Sequence, residues 1–70
     1  MMPLTIASPG EKVVIKMIKG KDEVRQHLAE LGFVVGSEVT VISKVGGNVI
    51  VQVKDSRVAL DESMAMRIMI

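Results

Sequence analysis

Residues 12–18, KVVIKMI, set Val13, Ile15 and Met17 on one face of an extended chain and Lys12, Val14, Lys16 and Ile18 on the other. Two-residue alternation of β-branched side chains predicts a strand with the first set buried. The spacing then changes. Val24, Leu28 and Leu31 recur at intervals of four and three, which predicts a short helix over roughly residues 22–31. Asp22 is placed to cap its N-terminus, and Gly32 stands where a helix ending at Leu31 needs positive φ. In that Schellman-type ending, Phe33 folds onto Leu28. Gly36 suits the third position of a type II turn with Val35 at the second, a turn that launches the next strand.

A meander follows. EVTVISKV (38–45) and NVIVQV (48–53) flank Gly46-Gly47, which with Asn48 offers the positive φ values of a tight hairpin. KDS (54–56) reads as a second turn, and RVAL (57–60) as a strand with Val58 and Leu60 facing one way. Asp61 can cap one helical turn through ESMAM before RIMI closes the chain, with Ile68 and Ile70 sharing a face. Upstream, Pro9-Gly10 marks a turn. The expected fold is mainly β: residues 1–70 form a single domain, a small five-stranded barrel with one inserted short α-helix and a C-terminal helical turn.

Composition agrees. Valine and isoleucine supply nineteen of the seventy residues, a β-branched load suited to pleated, half-buried surfaces. A chain of this length buries only about 60% of its unfolded surface, so its stability is modest. There is no cysteine to form a disulfide or a thiolate metal site. The longest apolar run is three residues, far below the roughly 20 of a membrane-spanning helix, so no membrane insertion is expected. MMPLT lacks the features of a secretory signal, and the expected location is cytoplasmic. Net charge is +1 and Phe33 is the single aromatic residue, which argues against a nucleic-acid partner.

Catalytic chemistry finds no foothold. His27, the lone histidine, flanks the apolar helix stripe and has no cysteine or second histidine with which to share a metal. It is the weak candidate ligand, with Glu23 and Glu30 on the same helix. None of the serines sits in a nucleophile motif, and Gly46-Gly47 lies between strands rather than before a phosphate-binding helix. Met64, Met66 and Met69 are close in sequence but read as packing or an adaptable surface. An exposed apolar patch would suit a protein partner or weak self-association.

At RQHLAELGFVVGSEVTV the chain resembles the FeoA family, small cytoplasmic accessory proteins of bacterial ferrous iron transport. The matching residues are Arg25, Leu28, Leu31-Gly32, Phe33 and Gly36, supported by Leu4, Gly10, the Gly46-Gly47 hairpin and VALDESMAMRIMI. Two positions depart from the pattern: Val35 stands where proline is frequent, and Asp61 where a basic residue is common. The resemblance implies an SH3-like barrel, similar to the C-terminal domain of iron-dependent repressors. It also implies a non-enzymatic module that docks on the cytoplasmic GTP-binding part of the FeoB permease. Arg25 and the exposed helix flank are the expected contact site. Leu28 is either contact or core, and its pairing with Phe33 favours core. The family further implies a transition metal ion, Fe, Mn or Zn. Two other readings are a metal-sensing module using His27 and carboxylates, and a small RNA-binding barrel that would need a basic, aromatic face.

Overall fold

The computed structural model describes residues 1–70. A 3₁₀ turn at Leu4–Ile6 is followed by β1 (Lys12–Val14), β2 (Met17–Ile18), α1 (Asp22–Glu30), β3 (Glu38–Val45), β4 (Asn48–Val53), β5 (Ser56–Asp61), α2 (Glu62–Ala65) and β6 (Ile68–Met69). The strands form two antiparallel sheets, one ordered β1-β3-β4-β5 and the other β2-β6. Between them lies one core that includes Leu4, Ile15, Leu28, Phe33, Val41, Val51 and Ile68. No polar side chain is buried in it.

The strand expected over 12–18 is two strands, β1 and β2. β1 pairs with β3, whereas β2 pairs with β6. Between them Ile15 N–H donates to Ser37 O at 3.0 Å and Lys16 N–H to Met69 O at 2.8 Å, so the chain changes partners within two residues. The bend resets the alternation: Ile15 and Ile18 are buried, while Met17 is 40% exposed. The final strand also departs from its expected pattern. Ile68 and Met69 are both buried, and Met69 bridges Pro3 as well as pairing with Met17. Reciprocal bonds between Met2 and Ile70, at 2.9 and 2.7 Å, tie the two chain ends together.

Helix α1 starts differently from expectation and ends as expected. Lys21 is the extended residue before the helix, so Asp22 lies inside the first turn and makes no capping bond. Its carboxylate pairs instead with the Arg25 guanidinium one turn on. At the other end Phe33 N–H donates to Leu28 O and Gly32 N–H to Ala29 O, both at 2.9 Å, with Gly32 at φ +104°. These two bonds are the Schellman pair. Leu28 and Phe33 are both 0% exposed members of the core.

Turn chemistry explains the rest. Ser37 N–H donates to Val34 O at 3.0 Å with Gly36 at φ +92°, so the turn forms with Val35 at its second position. Gly46 and Gly47, at φ +54° and +84°, form the two-residue β3–β4 hairpin loop by themselves, and Asn48 is already a strand residue opposite Val45. In the β4–β5 turn Lys54 adopts φ +53°, the only non-glycine residue with positive φ. A register shift between Val41 and Ser43 bends the β3–β4 ladder.

Asp61 caps α2 as expected, accepting from Met64 N–H at 2.8 Å and from the Ser63 hydroxyl at 2.9 Å. The Met64 backbone bond, followed by the Ser63 hydroxyl, holds its carboxyl below the usual value of 3.8. Folding thus favours the ionised form. That stabilisation is complete above the unfolded-state pKa and is lost as pH falls through the lower folded-state value.

Two outcomes follow for stability. A Cβ at Gly32 would meet Val53 Cγ2 at 3.0 Å, whereas one at Gly36 would meet nothing within 4 Å. Both positions have positive φ, so Gly36→Ala should cost about 1–2 kcal/mol in urea unfolding, and Gly32→Ala measurably more. Asp61→Asn should narrow the acid dependence: the difference in Tm between the native protein and this variant shrinks as pH falls from about 5 to about 2.

Candidate functional site

Beside α1 the surface holds a groove of about 280 Å³ lined by Lys16, Met17, Ile18, Arg25, Ala29, Phe33, Val34 and Val35. Three local devices build it. Gly36 N–H donates to Ile15 O at 2.8 Å and Ser37 O accepts from Ile15 N–H, which pins the 33–37 turn beside the β1–β2 bend. That turn presents Val34 and Val35 outward, the latter 64% exposed. The bend turns Met17 out. On α1, Arg25 and Ala29 lie four residues apart and share one helix face.

The groove is apolar with basic side chains on it, Lys16 from the bend and Arg25 from the helix. Arg25 holds only Asp22, whose side chain is 91% exposed, and such surface pairs contribute about 0–1 kcal/mol. The guanidinium is therefore free to exchange partners at little cost. A second hollow, of about 230 Å³, lies between Thr5, Lys44, Gly47, Asn48, Val49 and Glu62. Polar and charged residues make up most of its lining, and Lys44 Nζ already donates across it to Thr5 O at 2.6 Å.

Of the residues singled out from sequence, Arg25 lines the groove, whereas Leu28 lies in the core beneath the helix and offers no surface to a partner. His27 is exposed on α1. Glu23, four residues earlier, shares its helix face, but no cluster of three or more histidine, cysteine, aspartate or glutamate side chains occurs anywhere in the chain. These residues do not fit a metal site contained within one copy. Sequence reasoning missed Met17, by assigning it to the core, and passed over Val34 and Val35. The available signal was FVV, three apolar residues in a row at a turn that must lie on the surface.

Comparison with known proteins agrees with this architecture. The FeoA domain family model matches residues 2–70. A protein of Methanocaldococcus jannaschii, provisionally named Fe(2+) transport protein A, is 37% identical over 70 residues, covering 100% of this chain and 85% of its own. The crystal structure of Stenotrophomonas maltophilia FeoA complexed with zinc, described as a procaryotic SH3 domain protein, superposes with a TM-score of 0.84 at 32% identity. The match covers 99% of this chain and 88% of that one. A manganese-dependent transcriptional repressor shares the fold at a TM-score of 0.85 and 19% identity, over 94% of this chain and 38% of its own. The two sheets thus form a small SH3-like barrel whose hydrogen-bonded ladder is left open, and the chain belongs to the FeoA family of ferrous iron transport accessory proteins.

Proposed function

We propose that this chain is a non-enzymatic cytoplasmic module that docks through the α1 groove on the cytoplasmic GTP-binding part of a FeoB-type permease and modulates ferrous iron uptake. Iron is then the permease's cargo and needs no site here. The observation that carries this reading is the exposure of Met17, Val34 and Val35 together beside Arg25 and Lys16. Contiguous apolar side chains facing water, edged by charge, are the mark of a surface that a partner covers. A groove of this size supports a transient contact rather than a permanent one. Its basic side chains favour an apolar segment carrying carboxylates. Within the site Arg25 and Lys16 supply the charge, and Leu28 with Phe33 holds the helix at the groove's floor.

A metal-responsive role rests on the zinc complex of the Stenotrophomonas maltophilia relative. In this chain Fe, Mn or Zn would find at most two such ligands together, His27 with either Glu23 or Glu30, so the remaining ligands would have to come from a second molecule. Calorimetric titration with each ion tests it, and a flat trace rejects it.

Titration of the protein against the permease's soluble cytoplasmic domain should give saturable binding. Val35→Asp and Met17→Glu should each weaken it by about tenfold or more with little change in Tm. Leu28→Ala should act through folding instead, costing about 2–5 kcal/mol of stability. Absence of binding with and without guanine nucleotide would overturn the docking claim.

A further inference from the structure

The four-stranded sheet ends on β5, which pairs with β4 and nothing else. Its register leaves a specific set of backbone groups free. The turn at Lys54-Asp55 joins Val53 to Ser56 across two residues, so Val53–Ser56, Val51–Val58 and Val49–Leu60 are the hydrogen-bonded pairs. The intervening residues, Arg57 and Ala59, therefore aim N–H and C=O away from β4. No backbone bond outside the strand ladders uses residues 56–60, and both Arg57 and Ala59 are exposed.

The other edges are shorter or covered. β1 has three residues, and β6 is flanked by β2 on one side and by Met2 and Pro3 on the other.

We propose that β5 pairs antiparallel with β5 of a second copy about a two-fold axis at Ala59, making a weak isologous dimer. This register sets Ala59 against Ala59, Val58 against Leu60, and Arg57 against Asp61 of the other copy, twice by symmetry. It also joins the outward backbone groups, Ala59 to Ala59 and Arg57 to Asp61. Moving the axis by one residue, to Val58, would set Arg57 against Ala59 and lose the charge match.

The side chains are ready for it. Neither Arg57 nor Asp61 has an ion-pair partner within the chain, whose single salt bridge joins Arg25 and Asp22. Arg57 Nε donates to Gln52 Oε1 at 3.2 Å, which steadies the side chain and leaves its terminal nitrogens open. Asp61 uses one oxygen, Oδ1, for both the Met64 and Ser63 bonds, so Oδ2 is open. Opposite charges directly across two strands favour pairing, and like charges there oppose it. α2 follows β5 directly and packs on β5, β4 and the 3₁₀ turn. Five residues per copy, Arg57 to Asp61, bury little area, so the dimer should appear only near roughly millimolar protein concentration.

Sedimentation velocity over a concentration series tests this. At low salt the mass should rise from 7.6 kDa toward the dimer, and less so at high salt. Ala59→Pro removes an outward N–H without touching the β4 ladder, and Arg57→Glu sets like charges opposite each other. Each should raise the dimer Kd by about tenfold or more with the thermal melt retained. Should Ala59→Pro fail to fold, Arg57→Glu alone decides the matter. A protein that stays monomeric throughout at low salt overturns the proposal, and so does a dimer that Arg57→Glu leaves unchanged.

Discussion

The end of α1 is the constraint on which the rest of the barrel depends. Gly32 reverses the chain with the Schellman pair of hydrogen bonds, and its α-carbon lies so close to Val53 that a methyl group there would meet that side chain at 3.0 Å. The glycine therefore terminates the helix and allows its end to sit against β4. Phe33, the next residue, is carried under Leu28 into the core, and the chain reaches the 33–37 turn already aimed at Ile15. One backbone conformation fixes helix position, core composition and the start of β3.

A seventy-residue barrel has few residues with which to close itself. This one compensates by dividing the first strand between two partners. β1 continues the meander sheet, and after a two-residue bend β2 joins the C-terminal strand, with Met2, Pro3 and Ile70 sealing the seam. The bend has a price in exposure: the alternation shifts, Ile18 goes in and Met17 comes out. That exposed methionine, with two valines from the turn pinned beside it, makes the groove. The surface that suits a partner is thus a by-product of how the barrel closes.

The incomplete closure has a second consequence at the other end of the meander. Because the ladder stops at β5, one strand keeps unpaired backbone groups, and its side chains decide what can reach them. Arg57 and Asp61 guard this edge against arbitrary strands while remaining complementary to a copy of themselves. The groove and the edge lie on different elements, one on α1 and the β1–β2 bend, the other on β5, so they are separable in experiment.

Local chemistry made much of this fold legible in the sequence alone. The helix, its glycine ending, the Phe33–Leu28 pairing, the bounds of β3 and β4 and the Asp61 cap all depend on residues within a few positions of one another. Backbone sterics and short-range hydrogen bonds determine such features before any tertiary contact forms. The order and spacing of the same residues carried the family resemblance. What the sequence could not decide was which partner each strand finds. The split of residues 12–18, the inward turn of Met69 and the exposure of Met17 all follow from β6, some fifty residues away, pairing with β2 rather than extending the meander. Arg25 could be placed on the helix from periodicity, but its neighbours in the groove come from three separate segments. Only tertiary structure brings them together, because period-2 alternation records that a strand has two faces and cannot say where the sheet it belongs to ends.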